Sequence, residues 1–303
     1  VTAYADDAKP ASMPFKAIKA PVQPQGPLYA TWAQGYGQWL NVDSTGNAVS
    51  ADAKVGGILV GADATFTTQG TGAYTFGLAA GYSSGQTSTT NSTADTDTGH
   101  IAAYAGAAFD AFKLRAGATY GWSSTDSERF VALVNERPEA SFDGTAANLF
   151  AEAGYTIAYG GAAFEPFAGI GWTSVDQDGF TETGAPLSGL TSLGTSFSTA
   201  YSTLGLRAGF SYALDNGMTV RPRASAAWRH AFGDVNPQAV LAFTSTATAF
   251  GIEGLPIAED SLVLDAGVDL LAGQGFTVSV GYEGAFGDNV SSNAAKGTVA
   301  YRF

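Results

Sequence analysis

Serine-type hydrolysis needs an imidazole within reach of a hydroxyl, and a carboxylate that orients the imidazole. This chain of 303 residues offers two imidazoles, His100 and His230. Both fall at the outer ends of predicted strands, where hydrogen bonding suits them better than catalysis, and no nucleophile elbow is expected. Glu152 and Glu165 are carboxylates of the kind that share acid–base work. Their neighbours Arg207, Arg221 and Arg223 point instead to a neutralised structural cluster. The series Arg207, Arg221, Arg223 and Arg229 has the chemistry to draw small anions along a polar wall. The absence of Cys rules out thiolate nucleophiles, disulfides and cysteine zinc sites. No D-x-D-x-D-G loop offers itself to calcium. The expectation is no catalytic residue, no metal and no cofactor.

The elements that position these side chains follow from composition and period. Charged residues make up 14% of the chain, against about 25% in ordinary soluble domains. Glu, Lys and Leu are scarce relative to Gly, Ala, Ser, Thr and aromatics, so long helices are not expected. With 14 basic against 27 acidic residues, a phosphate backbone finds no general basic face, and nucleic acid is not an expected partner. No run of about 18 apolar residues marks a membrane helix. The chain opens Val1-Thr2-Ala3-Tyr4 with neither a basic nor an apolar leader region, so any secretory signal is expected to have been removed or to lie upstream.

The dominant signal is a period of two. In FKLRAGATYGW, Phe112, Leu114, Ala116, Ala118, Tyr120 and Trp122 share one face, and Lys113, Arg115, Gly117, Thr119 and Gly121 the other. Residues 203–212 and 276–283 repeat the pattern. At 180° per residue these are strands. Twelve are predicted, near 28–40, 55–67, 72–84, 98–109, 112–124, 145–158, 161–174, 200–213, 217–230, 260–272, 274–285 and 294–303. Connections alternate between short ones (68–72, 110–111, 159–160, 214–216, 273) and long ones (41–54, 85–97, 125–144, 175–199, 231–259, 286–293). An all-β, twelve-stranded, antiparallel up-and-down transmembrane barrel has this form, with short periplasmic turns and long extracellular loops. A soluble sandwich or small barrel alternates too. Twelve strands, however, enclose more space than a side-chain core fills, and the second face is too poor in charge for a solvated surface.

If that second face is the lumen, its charges are Asp63, Lys113, Arg115, Glu152, Glu165, Arg207, Arg221, Arg223, Arg229, Asp265, Asp269, Glu283, Lys296 and Arg302. Mixed charges at close quarters suit a cross-braced wall, and also a hydrophilic conduit. The remaining acids fall largely in the long connections: Asp95, Asp97, Asp126, Glu128, Glu136, Glu139, Asp143, Asp176, Asp178, Glu182, Glu253, Glu259 and Asp260. Their simplest reading is a solvated outer rim.

Several segments, in order, resemble the translocator domain of autotransporters, the self-contained secretion proteins of Gram-negative bacteria. They are PLYATWAQGYGQW (27–39), GGILVGADATF (56–66), FGLAAGYSSG (76–85), AFEPFAGIGW (163–172), STLGLRAGF (202–210), VRPRASAAWRHAFGD (220–234) and the closing GTVAYRF (297–303). Together they cover nearly all of 27–303. The resemblance implies a barrel over 28–303 in the bacterial outer membrane, acting as a monomer. It also implies a preceding segment that threads the lumen, here 1–27, and an N-terminal passenger carried to the cell surface. Pro10, Pro14, Pro21, Pro24 and Pro27 depart from a regular pore helix, so at most a short helix near Ala11–Ala20 is expected. Some members of the family cleave the passenger at an Asn-Asn pair; residues 1–40 contain no Asn.

In the last strand Val299, Tyr301 and Phe303 share the lipid face. A terminal aromatic with alternating apolar positions resembles the signal read by the barrel assembly machinery, although any closing strand needs lipid-facing aromatics. Three functions compete: a translocator with no chemistry of its own, a porin-like channel for small anionic solutes, and an outer-membrane hydrolase that would depend on His100 or His230.

Overall fold

The computed structural model describes residues 26–44, 49–68, 72–233, 235–254 and 257–303. The expected lumen segment 1–27, with its short helix near Ala11–Ala20, lies outside them apart from Gly26 and Pro27.

Twelve long antiparallel strands follow one another in chain order: β1 (Leu28–Val42), β2 (Ala51–Thr68), β3 (Gly72–Thr89), β4 (Ser92–Phe109), β5 (Phe112–Arg129), β6 (Glu139–Tyr155), β7 (Ala162–Thr181), β8 (Leu190–Phe210), β9 (Thr219–Phe232), β10 (Asp260–Leu271), β11 (Phe276–Gly287) and β12 (Val290–Arg302). Each pairs with its sequence neighbours, and β12 pairs back onto β1 from Val290↔Val42 to Arg302↔Ala30. Reciprocal backbone bonds between Tyr29 and Phe303, at 3.0 and 2.9 Å, finish the seam. The sheet is thereby closed, which removes the unpaired edges that lipid does not tolerate. Short fragments prolong the wall. Ile157–Tyr159 continues β6 against β7, and Tyr212–Ala213 continues β8 against β9.

Alternation decides which face points where. On β5, Phe112, Leu114, Tyr120 and Trp122 are exposed and Lys113 and Arg115 are not. On β8, Leu204, Leu206 and Phe210 are exposed while Arg207 lies on the opposite face. Exposed Leu, Ile, Val, Phe, Tyr and Trp side chains recur on every long strand and form one continuous outer band. A water-soluble monomer does not carry such a patch; a barrel in a bilayer does.

The two ends differ. At one end Asp110 (φ 52°), Gly217 (φ 83°) and the Gln274–Gly275 pair (φ 68° and 86°) occupy left-handed positions that make tight turns. The other end departs from the sequence reading, because all the predicted long connections except 231–259 are much shorter loops. Residues 85–97 belong almost wholly to β3 and β4, and 286–293 to β11 and β12. Strands β2 to β8 run 17 to 21 residues, against 12 to 14 in β9 to β12. A bilayer needs only about 9–11 residues per strand, so the β2–β8 side projects beyond it. The projecting parts are rich in Thr and Ser, as in Gln86–Thr89. Thr is a good strand former, and above the lipid no apolar face is required. The periodic hydrophobic signal therefore stops where the membrane stops, while the strands continue.

Candidate functional site

Side chains on strands that are not neighbours meet only on the concave side of a closed sheet, where curvature brings them together. That geometry places the predicted charges inside. The first cluster spans four strands. Arg115 on β5 stands directly across from Glu152 on β6, and Glu165 on β7 directly across from Arg207 on β8. Arg115 Nη1 donates to Glu152 Oε1 (2.8 Å) and, across β6, to Glu165 Oε1 (2.7 Å). Arg207 reaches back across β7 to Glu152, with Nη2 2.6 Å from Oε2, and lies 3.0 Å from Glu165 through Nη1. Lys113 Nζ is 3.4 Å from Glu165 Oε2, and Thr156 Oγ1 donates to the same oxygen at 3.0 Å. The guanidinium of Arg207 also covers the Phe167 ring at 3.8 Å. The Glu165 side chain is only 8% exposed. Three cations hold two carboxylates, with all four carboxylate oxygens engaged, and this is the condition under which a buried ionic network is stabilising.

The second cluster lies on the opposite part of the wall. Arg223 on β9 approaches Asp265 (Nη1–Oδ1 2.9 Å) and Asp269 (Nε–Oδ2 3.4 Å) on β10. Lys296 on β12 reaches across β11 to Asp265 (3.1 Å) and contacts Glu283 on β11 (3.3 Å). Arg221 stands directly across from Asp269, and Arg229 covers the Tyr201 ring at 5.0 Å. The arginine series is thus largely answered by carboxylates or rings, which removes much of its expected pull on passing anions.

Of the two remaining predicted lumen charges, Arg302 and Asp63, which both stand across from Ala30, Asp63 joins a relay missed by sequence reasoning. Trp32 Nε1 on β1 donates to Tyr104 Oη on β4 (2.7 Å), and Tyr104 Oη donates to Asp63 Oδ2 on β2 (2.8 Å). The two rings lie flat over Gly61 and Gly77. A Cβ at Gly61 would sit 2.5 Å from the indole, and one at Gly77 would clash with the phenol of Tyr104. The available signal was parity: Trp32 shares its strand face with Gln34, Tyr36 and Gln38, opposite the lipid-facing Thr31, Ala33 and Trp39.

The histidines separate. His100 Nε2 lies 2.7 Å from Ser83 Oγ on the inner face. Gly81-Tyr82-Ser83-Ser84-Gly85 has the Gly-x-Ser-x-Gly spacing, a match that the sequence reading overlooked. The segment is nevertheless extended within β3 rather than a strand-to-helix turn, and Ser83 is 5% exposed. His230 points outward, where Nδ1 is 2.9 Å from Asp260 Oδ1. The Ser–His and His–Asp halves of a triad therefore sit on opposite faces of the wall.

Of the thirteen acids expected on a solvated outer rim, eleven are exposed, while Glu136 and Glu182 are instead drawn into contacts between loops. Arg129, at the end of β5, holds Glu182 through Nε (3.2 Å) and Nη2 (2.7 Å) and donates to the Ser188 carbonyl at 3.0 Å. Glu182 Oε2 accepts from the Leu190 amide at 2.7 Å. Glu136 accepts from Ser188 Oγ (2.7 Å) and from the amides of Ser188 (2.9 Å) and Leu187 (3.2 Å). These bonds, the Ser188 hydroxyl foremost, hold its carboxyl below the usual range. The β9–β10 connection forms a hairpin (Gln238–Phe243 with Ala249–Glu253) that pairs with the start of β8, and Thr244 Oγ1 donates to the Gly189 carbonyl at 3.1 Å. Three connections are thus laced into one outer structure, because loops crowded above a closed barrel satisfy their backbone groups on one another. No cluster of metal ligands occurs among the described residues.

Val299 and Tyr301 are exposed on the outer face of β12. Phe303 stacks between Tyr301 (5.8 Å) and Tyr29 (6.1 Å) across the seam.

The family model described as the autotransporter β-domain matches residues 31–283. An extracellular serine protease of Serratia marcescens is 30% identical over 277 residues, which is 90% of this chain and 26% of that protein. The chain thus spans about a quarter of the length of the curated relatives it matches. The translocator domain of the autotransporter NalP from Neisseria meningitidis superposes with a TM-score of 0.72 at 21% identity, covering 91% of this chain and 88% of that one. The β domain of the Bordetella autotransporter BrkA does so with a TM-score of 0.68 at 19% identity, covering 90% and 98%.

Proposed function

The chain belongs to the autotransporter β-domain family and is an outer-membrane translocator barrel, and from that premise we propose how it serves export. A passenger N-terminal to Val1 is carried to the cell surface through the lumen that the closed wall encloses. Residues 1–27 form the connecting segment that threads the lumen, and residues 28–303 form the barrel. The observation that carries this reading is the pair of ionic clusters. Each ties together strands that are not adjacent, so the wall keeps its shape without a side-chain core and leaves the axis for polypeptide. Asp63, Lys113, Arg115, Glu152, Glu165, Arg207, Arg221, Arg223, Arg229, Asp265, Asp269 and Glu283 are braces in this proposal, not catalytic groups.

The barrel itself performs no hydrolysis, a reading supported by the separation of His100 and His230. Its seam is complete, which supports a monomer, since no strand edge is left at membrane depth for a second copy. Val299, Tyr301 and Phe303 are the contact with the assembly machinery. The test is surface display. A signal peptide and an epitope-tagged unfolded reporter are placed before Val1, and protease access is measured on intact Gram-negative cells. Surface exposure of the tag is the expected result. An assembled barrel with the tag retained in the periplasm would instead mark a channel, with conductance then to be measured.

A further inference from the structure

Outside the lumen, one cleft on the lipid-facing side has the chemistry of a ligand site. It lies at the end bearing the laced loops, across β9, β10 and β11, with a volume of about 400 Å³. Trp228 and Phe286 stand over it as rings, and Asp260 and Asp288 lie at its rim. Trp228 is 51% exposed, and the Asp260 side chain is 60% exposed. Trp228 Nε1 donates to Asp260 Oδ1 at 2.7 Å, and His230 Nδ1 lies 2.9 Å from that same oxygen. The His230 ring lies tilted 5.6 Å from Trp228 and edge-on 4.8 Å from Phe232.

An aromatic that merely anchors a barrel at the interface turns its polar edge to water. Here the indole and imidazole edges are turned onto one carboxylate oxygen. This fixes the Trp228 ring as a flat apolar platform and leaves the second Asp260 oxygen as an acceptor beside it. A flat aromatic face next to an exposed acceptor suits a ring that is apolar on its faces and hydroxylated at its edge. Two carboxylates at the rim disfavour a bare phosphate. The depth selects the source: Leu262 lies on the cleft and Leu264, Ala266 and Val268 continue the outer face of β10 into the apolar band. An occupant at this height stands where the headgroups of the outer leaflet begin. We propose that this cleft binds a sugar ring in the headgroup of an outer-leaflet glycolipid, with Trp228 as the stacking platform and Asp260 as the hydroxyl acceptor.

The test uses the whole chain refolded in detergent, with heat-modifiable gel mobility as the check on folding. Binding of deacylated lipopolysaccharide core oligosaccharide and of intact lipopolysaccharide is measured by calorimetry for the wild type, Trp228→Leu and Asp260→Asn. The expected result is saturable binding of both ligands by the wild type, weakened about tenfold or more in each variant. Equal affinity in wild type and variants would overturn the site. Binding of the intact lipid with none of the deacylated sugar would show that acyl chains carry the contact, and would overturn the saccharide reading. Equal affinity for a linear glucose oligomer would make this a site for free sugars and would overturn the glycolipid assignment.

Discussion

Glu165 is the best place to test whether the inner charges brace the wall. It holds Arg115, Arg207 and Lys113 at 2.7, 3.0 and 3.4 Å. Replacing it with Gln keeps the volume, leaves Arg115 and Arg207 to Glu152 alone and removes the carboxylate that Lys113 faces. Breaking a buried pair by removing one partner costs about 3–5 kcal/mol. Arg115 and Arg207 retain some solvent contact, with side chains 22% and 17% exposed, which favours the lower end, about 3 kcal/mol. At roughly 2–4 °C per kcal/mol for a chain of this size, the unfolding midpoint should fall by about 6–12 °C. The assay is heat-modifiable mobility and circular dichroism in one detergent, run as a double-mutant cycle with Arg115→Gln. Because the two residues share one network, the coupling should exceed about 0.5 kcal/mol. A midpoint within 2 °C of wild type, or additive single-variant effects, would refute the brace and return these residues to the role of pore lining.

Three further outcomes follow from the same geometry. Leu206→Arg puts a charge on the lipid face of β8, which should cost about 2–4 kcal/mol near the midplane and lower the amount of barrel recovered from outer membranes, whereas Ser225→Arg on the inner face of β9 should be tolerated better; equal recovery would overturn the facing. Deleting Phe303 removes the Tyr29 stack and the proposed assembly contact, and should reduce the outer-membrane level of the protein, scored by immunoblot; an unchanged level would sink the signal reading. Glu136 has its folded-state value depressed by the Ser188 hydroxyl and the two loop amides, so its contribution to loop docking is present above the ordinary Glu range and is lost as pH falls through the depressed value. The protection factors of the Leu187 and Ser188 amides, with the intrinsic pH dependence of exchange divided out, should therefore fall on acidification from pH 6 to pH 3 in the wild type, and Glu136→Gln should make them low at both.

Strand number, the facing of each strand and the end bearing the tight turns were legible in the chain itself. All three depend on a period of two and on local turn chemistry, which any ten-residue stretch carries. Lys113 and Arg115 were placed on the inner face from parity alone, and the paired carboxylates from the same parity. Which charges meet was decided elsewhere. Arg115 reaches Glu165, and Lys296 reaches Asp265, across an intervening strand only because the sheet curves and the pairings on either side fix the register. Trp32 and Tyr104 touch across two strands for the same reason, over glycines whose purpose is invisible until the rings lie on them. The outer loops went furthest beyond the sequence. Most of their acids are the solvated rim they look like in one dimension, but the strand extensions and the contacts of Glu136 and Glu182 go unannounced, because a polar strand above the bilayer has no apolar period. Periodicity reports the solvent that a strand faces, whereas curvature, register and the lacing of loops are properties of the closed sheet.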